Sequence, residues 1–106
     1  MSATERPGSG GSENLETFRA AIDAADAEIV RALGARARAA LETRRFKSGV
    51  ADPDREVRVV ERVRALAVAE GLSPDFAESL WRAIMAESRR MQEAAGAGGP
   101  EGGPAG

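Results

Sequence analysis

The stretch RRFKSGVADPDREV, Arg44–Val57, gathers seven charged side chains around Ser48-Gly49. Lys47, Asp52, Arg55 and Glu56 within it are groups that could line a pocket for a small anion. The plainer reading is a solvated turn between helices, with Lys47 answering a helix C-terminal dipole and Asp52 acting as an N-cap. Arg55 and Glu56 would then be first-turn surface charges. Four residues elsewhere bear on the choice. Arg36 falls on an apolar stripe seven residues after Ile29, where an arginine either snorkels at the stripe's edge or serves a site. Lys47 follows Arg36 by eleven residues, at almost the same angle around a helix. Ser88 and Gln92 continue the series Phe76, Leu80, Ile84 at four-residue steps, placing hydrogen-bonding groups on an inward face unless the helix end is simply solvated.

The absent residue types narrow the chemistry. The chain has no His, Cys or Tyr, which excludes Ser/His/Asp and Cys/His nucleophilic schemes and His- or Cys-based zinc sites. A catalyst made from this chain has to work through Arg, Lys, carboxylates and amides. Its 15 basic and 17 acidic residues, net −2, lack the basic surplus of a general nucleic-acid binder. No apolar run approaches a membrane span and the N-terminus has no apolar leader, so a soluble, cytoplasmic protein is expected, without nucleic-acid or membrane partners.

Three helices must position these groups. Residues 1–12 and 94–106 are rich in Gly, Pro, Ser and Ala and read as disordered tails around a helical domain at 13–93. Leu15, Phe18, Ile22, Ala25, Ile29 and Leu33 alternate three- and four-residue steps, predicting a first helix capped by Ser12 or Asn14 and stopped at Gly49. It would hold about 34 residues, ~50 Å. Asp52 and Pro53 start a second helix with the stripe Val57, Val60, Val63, Leu66 and Ala67. Gly71, Ser73 and Pro74 end it and start a third, with Phe76, Leu80, Trp81, Ile84 and Met85 facing inward as far as Met91 or Gln92.

The shorter helices, about 18 residues or ~27 Å each, cannot cover the long stripe. Either the long helix breaks near Gly34 or a second chain covers it. The expected fold is therefore all-α, one long and two shorter helices per chain in an intertwined homodimer. Arg19 fits that picture. It precedes Arg36 by seventeen residues, ~25 Å along one helix, so the two cannot clasp a small metabolite within one chain. In an antiparallel pair, Arg19 of one chain approaches Arg36 of the other, giving two guanidiniums suited to carboxylates.

These residues resemble the AroQ-type chorismate mutases, the all-helical class, over essentially the whole helical region. The matching pieces are FRAAIDAADAEIVRAL, Arg36, FK ending at Lys47, DPDRE at Asp52–Glu56, and ESRRMQ with Ser88 and Gln92. The resemblance implies three helices per chain, an interlocked homodimer, and sites shared between chains for a small dicarboxylate. Arg19 from the partner chain and Arg36 would hold the carboxylates, supported by Arg55 and Ser88. Asp52 and Glu56 would meet the ring hydroxyl region. Lys47 and Gln92 would donate to the ether oxygen and its neighbouring carboxylate.

The implied reaction is the rearrangement of chorismate to prephenate, which needs no nucleophile or cofactor. Its setting would be aromatic amino acid or related secondary-metabolite biosynthesis. Only SGVA separates Lys47 from Asp52, shorter than is typical of the family. That difference keeps two family relatives open, a mutase acting on 4-amino-4-deoxychorismate and, ranked lower because of the acidic DPDRE block, an isochorismate-pyruvate lyase. A non-catalytic helical dimerisation protein is the alternative of another class, which would explain the amphipathic stripes but not Arg36, Lys47, Ser88 and Gln92 on inward faces. Control by a regulatory partner enzyme also stays open.

Overall fold

The computed structural model describes residues 11–46 and 52–97, and every described element is helical. Helix α1 spans Gly11–Thr43 and tightens into a 3₁₀ turn at Arg44–Phe46. Helices α2, Pro53–Ala69, and α3, Pro74–Ala97, follow. The chain divides at Arg36 and Ala37 into two units.

The first unit contains most of α1. The helix begins at Gly11, so Ser12 and Asn14 lie inside it and neither is the cap expected. Once nucleated, a helix propagates through polar residues without needing an apolar partner for each. Gly34 does not break it; its cost of about 1 kcal/mol is absorbed among good helix formers such as Ala32, Leu33 and Ala35. The apolar stripe is as predicted in its spacing and remains open to solvent. Leu15, Phe18, Ile22 and Ile29 are between 49% and 67% exposed. The α-helical geometry closes at Thr43, earlier than the expected stop at Gly49. Gly49 and Lys47 lie outside the described residues.

The second unit is organised by the α2–α3 hairpin. Its core is Val59, Val60, Val63 and Met85, with Trp81 packed against them and Ala67 and Ala77 also buried. The buried face of α2 is thus rotated from the one expected. Val59 is inside, whereas Val57 and Leu66 are more than half exposed. On α3, Ala77, Trp81 and Met85 face the hairpin, while Phe76 and Leu80 do not. Small Ala67 and Ala77 allow close helix approach, and periodicity cannot reveal which of two adjacent apolar rows a partner will choose.

Local punctuation follows the expected pattern. The Asp52 side chain accepts from the Arg55 backbone N–H at 3.2 Å, and Pro53 occupies the first helical position. Gly71 has φ +77°, a conformation open to glycine at little cost, and it follows the Glu70 C-cap. The Ser73 hydroxyl accepts from the Phe76 N–H at 3.1 Å. Helix α3 runs to Ala97, beyond the expected end at Met91 or Gln92, through AAGA that reads as tail by composition.

A charged cluster ties the hairpin across its turn. Arg64 donates to Asp75 at 2.9 Å and Glu78 at 2.8 Å, and Arg82 holds the other Glu78 oxygen at 2.7 and 2.9 Å. Hydrogen bonds from Arg82, then Arg64, draw the Glu78 carboxyl below its ordinary value against an opposing effect of burial. Hydrogen bonding to Asp75 chiefly raises the already high Arg64 value. A depressed carboxylate stabilises the fold above its unfolded pKa, and that stabilisation is lost as pH falls through the depressed folded value. Urea midpoints of Glu78→Gln and the parent chain are therefore expected to converge as pH drops through the carboxylate range. A gap that persists below it removes the charge explanation.

Candidate functional site

Gln92 is the buried polar residue of the second unit, at 4% relative exposure. A carboxamide withdrawn from water must find partners, and α1 supplies them. The Gln92 Nε2 donates to the Ala40 carbonyl oxygen at 2.6 Å and reaches Thr43 Oγ1 at 3.4 Å. Thr43 Oγ1 itself donates to the same Ala40 oxygen at 2.7 Å. One N–H of the amide is therefore firmly used, and the other is held only by a long contact. A bond at 3.4 Å is weak enough to yield to a better acceptor.

A second polar link reaches from α2 to α3. Glu56, half-buried in the first part of α2, forms an ion pair with Arg89. Sequence reasoning assigned Glu56 to the site and overlooked Arg89, which adjoins Ser88 in the ESRRMQ segment. Pattern alone gives a charge next to a serine no reason to face one helix in preference to solvent. Arg55, one residue before Glu56, is exposed, and its backbone is held by the Asp52 cap. That cap uses Asp52 Oδ1, so the capping role and a ligand role for the carboxylate are compatible.

The other sequence-derived candidates are placed less tightly together. Ser88 is half-buried on α3, four residues before Gln92, and is engaged in an interaction of its own. Arg36 is half-buried on α1, four residues before Ala40, and is likewise engaged. Half-burial at Arg36 fits an arginine at the edge of the stripe as well as one serving a site. Arg19 is exposed and pairs with Glu16 at 3.3 Å, one turn earlier on α1. An exposed i,i+3 pair of this kind is weak and leaves the guanidinium easily recruited. Lys47 lies outside the described residues.

Arg44 also escaped sequence reasoning, although it opens the charge-rich stretch. Its Nη1 donates to the Gln92 main-chain oxygen at 2.5 Å. Among the described residues, no three His, Cys, Asp or Glu side chains gather in a metal-holding group. No helix among them is long and apolar enough to cross a membrane.

The described elements are all helical, and the candidate residues they carry are arginines, carboxylates, a hydroxyl and a buried amide, groups that can bind an anion and include no His or Cys nucleophile. The family model for chorismate mutase type II matches residues 18–93, and the chain belongs to that AroQ family. The match runs from Phe18 in α1 to Glu93, one residue beyond Gln92. Among curated proteins, none matches the chain.

Proposed function

We propose that the protein is a chorismate mutase, an isomerase that converts chorismate to prephenate in aromatic amino acid or related secondary-metabolite biosynthesis. The observation that carries this reading is Gln92, a buried carboxamide with one N–H loosely held, in a chain belonging to a chorismate mutase family. The rearrangement breaks a C–O bond and forms a C–C bond in one concerted step, with no proton transfer and no covalent intermediate. The protein's task is to hold the reactive conformer and stabilise charge growing on the ether oxygen.

In this reading Gln92 and Lys47 donate to the ether oxygen and the neighbouring carboxylate. Arg36 and Arg19 of the partner subunit grip the carboxylates, with Arg55 and Ser88 in support. The homodimer is supported by what a single chain leaves uncovered. Leu15, Phe18, Ile22 and Ile29 on α1, and Leu66 and Phe76 on the hairpin, are all about half exposed or more. Six large apolar side chains open to water are a strong drive for association. A second copy buries them and brings Arg19 to another chain's site.

Asp52 and Glu56 would meet the ring substituent that is a hydroxyl in chorismate and an ammonium in its 4-amino-4-deoxy analogue. Glu56 is already neutralised by Arg89. An ammonium arriving there gains less from a balanced carboxylate than from a free one, which favours the hydroxyl substrate. Asp52 retains an oxygen beyond the one in the cap and can accept from that hydroxyl.

Three outcomes are expected. The purified protein depletes chorismate, followed by its ultraviolet absorbance, and Arg36→Ala, Lys47→Ala and Gln92→Ala each reduce kcat/KM by roughly 10²–10³-fold while circular dichroism stays helical. Near-parental activity in all three removes these residues from the site, and a folded protein inert toward chorismate, isochorismate and the amino analogue is a scaffold. Next, mixing inactive Arg19→Ala and Arg36→Ala chains is expected to restore activity through one intact site per mixed dimer. Demonstrated subunit exchange without recovery would falsify the shared site. Finally, chorismate should be preferred over its amino analogue, and Arg89→Met should shift the ratio toward the analogue. An unchanged ratio means that Glu56 does not face the ring substituent.

A further inference from the structure

Helix α3 ends with no basic residue in its last turn. Cations there ordinarily answer the negative end of the helix dipole and the unpaired carbonyls. Here a cation arrives from another element five residues before that end. Arg44, in the 3₁₀ turn after α1, crosses to α3 and donates to the Gln92 carbonyl oxygen, forty-eight residues away in sequence. A guanidinium bonding a carbonyl is charge-assisted and stronger than a neutral amide contact.

Gly96 makes room for it. A Cβ built at Gly96 would lie 2.6 Å from Nη1 and Nη2 of Arg44 and 2.9 Å from its Cζ. Any side chain at 96 would therefore occupy the volume the guanidinium fills. Gly96 stands four residues after Gln92, so the arginine lies along the backbone that carries Gln92. Glycine in a helix costs about 1 kcal/mol relative to alanine, and the Arg44 contact accounts for its presence here.

Gln92 is thus held at both ends by the last residues of α1 and the turn that follows. Its side-chain amide bonds Ala40, and its main-chain oxygen receives Arg44. We infer that Arg44, seated on Gly96, is a positioning residue that fixes the Gln92 amide for the reaction. Resting on the chorismate mutase reading, this inference adds a residue that need not touch the substrate.

The test uses the full chain in Arg44→Ala and Gly96→Ala forms. The second has the better helix former, so any loss of activity in it cannot come from a weakened helix. Both are expected to lower kcat about tenfold with little change in KM, the effect of mis-setting one ordinary hydrogen bond in the transition state. Adding Arg44→Ala to Gln92→Ala should cost nothing further, because the two act as one unit. An equal loss in that background means a general structural role and overturns the inference, as does parental kcat in both single variants.

A second readout is independent of turnover. Gln92 is the chain's single glutamine, and Asn14 its single asparagine, so the Gln92 side-chain NH₂ pair is readily assigned in an ¹⁵N–¹H spectrum. Both substitutions should move that pair and speed its exchange with water. Unmoved signals overturn the clamp. If the parent chain turns over no substrate, the chemical reading fails while the spectrum still decides whether Arg44 sets Gln92.

Discussion

Burying one carboxamide ties the end of α1 to the end of α3. At 4% exposure Gln92 cannot rely on water, so its amide must bond the Ala40 oxygen or forfeit about 1–3 kcal/mol. The bond is directional where apolar packing is not. It fixes which turn of α3 meets which turn of α1, and Arg44 repeats the connection from the main-chain side. The hairpin core of Val59, Val60, Val63 and Met85 supplies the apolar drive that brings α2 and α3 together. The polar junction then sets the register of the site-bearing ends, a division of labour that a core of six buried apolar residues would not achieve by itself.

That small core has a second consequence. The described apolar surface is partitioned between a modest hairpin interior and two open stripes, one on α1 and one on the hairpin's other face. The first unit's part of α1, with half-exposed Leu, Phe and Ile side chains, gains little tertiary stability from the described residues. On the proposed reading, association and completion of the site are therefore one event. The stripe that draws in a second copy belongs to the same helix that carries Arg19, four residues from the exposed Leu15 and three from Ile22.

What was legible in the sequence was whatever is encoded locally. The Asp52, Pro53, Gly71, Ser73 and Pro74 punctuation reads correctly because each signal acts within four residues, through one hydrogen bond or one backbone angle. The four-residue series that singled out Ser88 and Gln92 starts at Phe76 and Leu80, which are exposed; each such step turns the face by about 40°, so the series reaches the buried side only towards Gln92. The buried row of α2 was legible only in part: Val60, Val63 and Ala67 are inside as expected, but Val59 is buried beside them while Val57 and Leu66 stay exposed, a choice that only the partner helix makes. The end of α3 was missed for a different reason. AAGA carries three alanines, the best helix formers, against one glycine, and reading it as tail by composition overlooked that propensity; the Arg44 contact at Gly96 comes from another element. Arg89 was missed because an ion pair across helices leaves no period in either one.

The observed pairings of the candidate residues also bear on how so many charged groups coexist with a stable fold. A buried or half-buried charge is tolerated when each group has a counterpart before any ligand arrives. Glu56 has Arg89, the Asp52 carboxylate has a backbone N–H, and Arg19 has Glu16 in solvent. Each partner is held at a different strength. The Arg19 pair is exposed and cheaply exchanged for a substrate carboxylate, whereas the Glu56 pair joins two helices and resists exchange. On the proposed reading, the loosely paired Arg19 is available to a substrate carboxylate while Glu56 stays fixed. Binding energy is then spent on orientation, the contribution that a unimolecular rearrangement requires from its catalyst.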